Sequence, residues 1–253
     1  GKPLWDDIYS TRKVSDLDDP STLGFALVEF EFPENTRFPC LPVRCNAGIL
    51  YPLKGRSCCC TPEIALAKEL GAKLNILHGV VLPDDKDIPP FKNFISYTLE
   101  NRNPHPKGSL ENLFWKQIGN SCYGKLAQGL KKKRCFDTRS GQMKILPESK
   151  ITNPFFASYI TSVVRATLSE IISKLPAKVK VCNATTDGFL SNVNPSQLKR
   201  STNGTLCKLF SRTLNEVTGD GTVLEIKHQI RKPLGWRTRG QATLNQYSKK
   251  IIR

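Results

Sequence analysis

Apolar and polar residues alternate singly through FALVEFEF, residues 25–32, ahead of Pro33, and this period of two predicts a half-buried strand. Residues 48–52 are read as a continuation of a sheet. Thr61-Pro62-Glu63 sets a capping residue before a helix-starting proline, so a helix is predicted over 62–70 and closed by Gly71. The apolar run NILHGVVL, residues 75–82, reads as a buried strand stopped by Pro83. Pro89, Pro90, Pro104 and Pro106 bracket a helical piece over 91–100. Ser109 is an N-cap residue, and Leu110, Leu113, Phe114 and Ile118 form one apolar face of a helix over 110–123 that ends at Gly124. Another helix starts at Thr152-Asn153-Pro154, with Phe156, Tyr159, Ile160, Val163, Val164, Leu168, Ile171 and Ile172 at helical spacing as far as Lys174. Residues 179–184 alternate as a strand, Thr185-Thr186-Asp187-Gly188 turns the chain, and Phe189-Leu190 opens a second strand. No internal repeat or low-complexity linker marks a domain boundary.

At 253 residues, 39% hydrophobic and 24% charged, the chain has apolar material for a real core and too much for a disordered tail. No run reaches the eighteen or so consecutive apolar residues of a membrane helix, and the N-terminus lacks a signal peptide's apolar core. An intracellular protein without a membrane partner is the expectation. Its nine cysteines support this, since an odd and uneven set is not a disulfide framework. The spacing of Cys40, Cys45 and Cys58-Cys59-Cys60 lacks the C-x2-C knuckle of a zinc site, which favours ordinary thiols. Charge changes the picture more. Residues 1–100 hold 11 Lys and Arg against 14 Asp and Glu, whereas residues 101–253 hold 27 against 8, a net of +19. That is far beyond what solubility asks for, and it points to a polyanionic partner, nucleic acid first.

Within the basic region, Lys116, Asn120 and Tyr123 stand at i, i+4 and i+7 of the helix that starts after Ser109, so a cation, an amide and an aromatic ring share one stripe. These parts match a nucleoside triphosphate: its phosphates, its sugar or base edge, and its flat ring. The run Lys116-Gln117-Ile118-Gly119-Asn120-Ser121-Cys122-Tyr123-Gly124 resembles the K-x-x-x-N-S-x-Y-G fingers motif of family B DNA polymerases, with every fixed position present. The resemblance implies Lys116 on the incoming nucleotide's phosphates, Asn120 and Tyr123 at the nascent base pair, Ser121 and Gly124 against DNA, and Arg102 and Lys107 as further phosphate ligands. Thr161 and Arg165 match the family's T-x-x-x-R pattern, implied to contact the template. The segment from Thr185 to Gly188 is similar to the D-T-D-S palm hairpin. Thr185 replaces its first Asp and Gly188 its Ser, which leaves Asp187 as the implied catalytic and metal-liganding carboxylate.

Two-metal phosphoryl transfer holds its ions about 3.5–4 Å apart with bridging carboxylates, and Mg2+ suits hard oxygen ligands. One Asp cannot cage two ions. The family's D-x-x-S-L-Y-P motif does not occur in residues 1–253, so the expectation is a second carboxylate upstream and a chain that begins partway through a longer polypeptide. Gly235 to Gln241 loosely resembles the K-x-Y region that grips primer-template, implying DNA contacts from Lys227, Arg237 and Arg239.

The resemblance therefore implies an α+β fold, a polymerase palm of antiparallel sheet backed by helices with a helical fingers insertion. Residues 1–90 would be a palm portion with a priming-protein-type insertion, 91–135 the fingers, and 136–253 palm with the catalytic hairpin and the start of a thumb. The implied function is part of a DNA-directed DNA polymerase of a virus, plasmid or mobile element. Its expected partners are primer-template DNA, deoxynucleoside triphosphates and a terminal priming protein. The alternative is a catalytically incomplete relic that binds nucleic acid, favoured by Thr185 and the missing palm motif.

Overall fold

The computed structural model describes residues 1–245 apart from 47, 186, 228, 238 and 239. In chain order its elements are β1 (Lys2–Pro3), β2 (Tyr9–Thr11), β3 (Leu23–Glu31), β4 (Val43–Cys45), β5 (Gly48–Leu50), β6 (Lys54–Cys60), α1 (Thr61–Glu69), β7 (Lys73–Leu82) and β8 (Asp84–Asp85). Then follow α2 (Lys92–Arg102), α3 (Leu110–Leu126), β9 (Arg134–Asp137), β10 (Gln142–Ile145), α4 (Pro154–Ser173), β11 (Val181–Ala184) and β12 (Phe189–Ser191). The last are α5 (Pro195–Ser201), α6 (Thr205–Thr218), β13 (Arg231–Arg237) and β14 (Gly240–Asn245). The chain is thus mixed α+β, and every strand pair among the described residues is antiparallel. It divides into two compact units, one of residues 1–4 and 84–162, the other of residues 5–83 and 163–253.

The larger unit is built on a four-stranded sheet in the order β2-β7-β3-β6. The alternation seen in the sequence directs Ala26, Val28, Phe30 and Phe32 into the core, where the rings of Phe30 and Phe32 meet edge to face at 5.6 Å. Helix α1 covers this face through Ile64, Leu66 and Ala67, and Ala166 and Leu206 join the same cluster. The N-cap of α1 is Cys60 rather than Thr61. Glu63 accepts the Cys60 amide at 3.1 Å, while the buried Thr61 hydroxyl donates to the Gly24 carbonyl at 3.1 Å and so ties the helix to β3. Gly71 closes the helix with φ +82°, as its position implied. Residues 48–50 do not extend the large sheet but pair with β4 as a separate hairpin.

Two fully buried carboxylates organise the helices of this unit. Glu63 receives Arg165 from α4, Nε to Oε1 at 2.7 Å. Glu170, also from α4, accepts the Leu206 and Cys207 amides at 3.2 and 2.9 Å and so caps the N-terminus of α6. Among the described residues α4 is the one helix long and apolar enough by composition to cross a membrane. Its buried Ala166, Ile171 and Ile172 and its buried carboxylate are those of a core helix.

In the smaller unit α2 and α3 pack side by side. A Cβ on Gly119 would lie 3.2 Å from the Thr98 methyl, so the two helices approach closely at that crossing. The buried Asn112 amide donates to the carbonyls of Arg102 and His105, which holds the proline-rich turn against the start of α3. Ser109 caps α3 as expected, accepting the Asn112 amide at 3.2 Å. The helix does not end at Gly124. It continues to Leu126, and distant hydroxyls satisfy carbonyls at and just beyond its end, Ser149 donating to Lys125 at 2.7 Å and Thr152 to Gln128 at 2.8 Å. Nor is the predicted apolar face buried. Leu110, Leu113 and Phe114 are 79%, 52% and 57% exposed, and the buried positions are Asn112 and Leu126.

Candidate functional site

Lys116, Asn120 and Tyr123 all lie on the exposed surface of α3, spread over about 10 Å of its axis. Lys116 makes no ion pair among the described residues. Tyr123 is fixed by its phenol, 2.9 Å from the Thr161 hydroxyl. Thr161 commits its own hydrogen to the Ala157 carbonyl at 2.7 Å, so Tyr123 donates and Thr161 accepts. Two residues that the sequence singled out separately, 38 positions apart, are therefore coupled. Gly124 is exposed, and a Cβ there would meet no atom within 4 Å, so the surface next to Tyr123 stays flat without any packing demand for glycine.

The remaining motif positions take less outward roles. The Ser121 hydroxyl turns back to the Ile118 carbonyl at 2.8 Å. Cys122 is half-buried, and that burial pushes its thiol pKa up. Arg102 ends α2 and is held near the start of α3 through its backbone carbonyl, while Lys107 is exposed in the turn between them.

In the larger unit, Asp187 sits exposed at the tip of the β11–β12 hairpin. The Thr185 amide and hydroxyl both donate to the Gly188 carbonyl, at 2.8 and 3.2 Å, so the residue that stands where the family has its first Asp closes the turn. Thr186 lies outside the described residues. Arg165 is partly exposed and committed to Glu63. Desolvation pulls its guanidinium down, and the adjacent carboxylate outweighs that and leaves it raised. Lys227 is exposed. Arg237 ends β13, where the pairing with β14 shifts register, and its side chain is outside the described residues, as is all of Arg239.

No three His, Cys, Asp or Glu side chains converge as a metal site among the described residues. Asp187 offers a single carboxylate, which does not amount to the two-ion cage expected with Mg2+. Cys40, Cys59 and Cys60 are buried and Cys45 and Cys58 exposed, all as free thiols. Sequence reasoning missed Glu63, Ser149 and Thr152, which position Arg165 and the end of α3. Capping chemistry signals Glu63, three residues after its N-cap, but nothing local signals the two hydroxyls.

No protein-family model matches the chain. Over 230 residues, 87% of its length, the chain is 43% identical to the primer-independent DNA polymerase PolB of Escherichia coli, of which it covers 26%. The chain thus spans about a quarter of the length of the curated relative it matches. Among solved structures it resembles Phi29 DNA polymerase complexed with primer-template DNA in a post-translocation binary complex, with TM-score 0.50 and 19% identity, covering 75% of this chain and 34% of that one. A ternary complex of Phi29 DNA polymerase with primer-template DNA and incoming nucleotide gives TM-score 0.47 and 18% identity, covering 68% and 32%.

Proposed function

Because the chain belongs to the family B DNA polymerases, matching part of a protein-primed-like member, we propose that it takes part in template-directed addition of deoxynucleotides to DNA. The observation that carries this reading is the exposed face of α3, where Lys116, Asn120 and a Tyr123 held by Thr161 stand in line. Lys116 places a cation on the triphosphate of the incoming nucleotide, with Arg102 and Lys107 as neighbouring cations. Asn120 and the Tyr123 ring bound the new base pair, and the flat surface at Gly124 with Ser121 admits the template. A tyrosine fixed by its hydroxyl presents one ring face at little entropic cost, which suits discrimination by shape.

In this reading residues 91–135 are the fingers, residues 1–90 a palm portion with a priming-protein-type insertion, and residues 136–253 the palm with its catalytic hairpin and the start of a thumb. Asp187 is the chain's own carboxylate for Mg2+, and the remaining ligands come from outside residues 1–253. Thr161, Arg165, Lys227, Arg237 and Arg239 face primer-template DNA, and a terminal priming protein is the further partner. The setting is intracellular, in replication of a virus, plasmid or mobile element. Thr185 supports a second reading, a DNA-binding relic without chemistry, since a hydroxyl that closes the turn stands where the family has a carboxylate.

Primer extension with Mg2+ and four deoxynucleotides separates the two. The chain is assayed alone and joined to whatever precedes it in its reading frame, with Asp187→Ala and Lys116→Ala versions of each. Extension that Asp187→Ala abolishes, and that Lys116→Ala weakens chiefly through the nucleotide KM, is the expected result. Salt-sensitive DNA binding without extension in either form would leave the relic.

A further inference from the structure

Beyond the α3 face and the Asp187 hairpin, the larger unit holds a cleft of about 850 Å3 between α5, α6 and the segment that follows α6. Lys199, Lys208 and Arg212 line it, together with apolar Leu198, Val223 and Leu224 and polar residues that include Asn203 and Asn215. We propose that this cleft is a binding groove for a strand of nucleic acid, with the three cations on its phosphodiester backbone and the apolar residues beneath sugar and base edges. No motif of the polymerase family marks these positions, and Asp187 does not line the cleft.

Three features select a strand over other anions. Lys199 and Lys208 are exposed and make no ion pair among the described residues, so both charges are available. Arg212 has only a loose pair with Glu216, at 3.8 Å with both side chains more than half exposed, which a phosphate displaces at little cost. The cations are spread out instead of converging. Lys208 and Arg212 lie one turn apart on α6, about 6 Å along its axis, close to two steps of a stacked strand at about 3.4 Å per phosphate. A single inorganic anion would leave most of the cleft empty. A lining that mixes Leu198, Val223 and Leu224 with the amides of Asn203 and Asn215 offers both apolar surface and hydrogen-bond partners to the sugars and base edges of a strand.

The test is the salt dependence of oligonucleotide binding by the 253-residue chain, followed by fluorescence anisotropy. On single strands each phosphate contact contributes about 0.7 to the slope of log K against log salt. The triple variant Lys199→Ala/Lys208→Ala/Arg212→Ala should flatten that slope by about 2. Lys13→Ala/Lys54→Ala/Lys73→Ala makes the same charge change elsewhere on the unit and should leave the slope nearly unchanged. All six side chains are exposed, so both variants should melt with the parent. Equal flattening by the two variants would overturn the groove, as would a parental slope in the first or displacement of the oligonucleotide by polyglutamate of equal charge. Lys116→Ala reports on nucleotide addition and not on this slope, so failure of the groove and failure of the polymerase reading are separable.

Discussion

Replacing Gly204 by alanine should cost far more than the loss of an ordinary N-cap glycine. Gly204 precedes α6 with φ −71° and ψ 169°, backbone that any residue adopts, so no conformational strain is involved. The obstacle is the Glu170 carboxylate, which occupies the space that a Cβ would need. Moving it breaks two charge-assisted bonds, to Leu206 N at 3.2 Å and Cys207 N at 2.9 Å, and leaves the fully buried carboxylate with Lys174 Nζ, 3.4 Å from Oε1, as its ion-pair partner. Charge-assisted bonds contribute about 1.5–3 kcal/mol each, not additively. The two together, about 3–5 kcal/mol, are the expected loss. In a chain of this length it corresponds to a fall of roughly 6–20 °C in Tm, read by far-UV circular dichroism and by urea unfolding. Serine is the decisive companion. At a free N-cap, Gly→Ser is neutral or stabilising, whereas here Gly204→Ser collides with Glu170 just as alanine does. A Gly204→Ser protein as stable as the parent would refute the reasoning.

Further outcomes follow from the same contacts. Arg165→Ala should destabilise the larger unit by about 3–5 kcal/mol because Glu63 is left charged and buried; pairing it with Glu63→Gln should recover part of the loss in urea unfolding. Burial, reinforced by the Glu170 carboxylate, pushes the Cys207 thiol up to about 12. Alkylation at pH 8 read by peptide mass spectrometry should therefore label the exposed Cys45, Cys58 and Cys182 and spare Cys207. Asp137 is held below the usual carboxylate range by hydrogen bonds from Lys144, Ser140 and the Arg139 amide. A depressed carboxylate stabilises above its unfolded pKa, near 3.9, and loses that as pH falls through its folded value. Protection factors of the β9 and β10 amides should accordingly fall only in strong acid, and a fall already near pH 6 would count against the assignment.

Much of the larger unit was legible because its signals are local. The single-residue alternation of residues 25–32 survives as the inward row Ala26, Val28, Phe30 and Phe32, and Pro62 with Gly71 bounds α1 nearly as read. Several of the misreadings trace to partners far along the chain. Gly124 does not stop α3, whose end takes donors from Ser149 and Thr152, and hydroxyls two dozen residues away leave no periodic trace. The α3 stripe of Leu110, Leu113 and Phe114 has helical period, yet period states only that one face is apolar, not that anything covers it. For the candidate site, the order of motifs named Tyr123 and Thr161 separately, and their hydrogen bond became visible only in three dimensions. Glu170 looked like one polar residue on an apolar helix, because its ligands, the first amides of α6, belong to the backbone and carry no sequence signature.

The Arg165–Glu63 bond spans 102 positions, and Lys174 reaches Glu69 across 105. Residues 84–162 belong to the other compact unit, so the larger unit is assembled from two stretches of chain made at different times. At synthesis rates of about 5–20 residues per second, the helix carrying Glu63 waits roughly 5–20 s for Arg165 to emerge. Through that interval the buried carboxylate has no cation, and the apolar side of α1 lacks Ala166 and Leu206. A nascent chain in that state is exposed to chaperones and proteases, so the time between the halves bears on the fate of the protein alongside the stability of the finished fold.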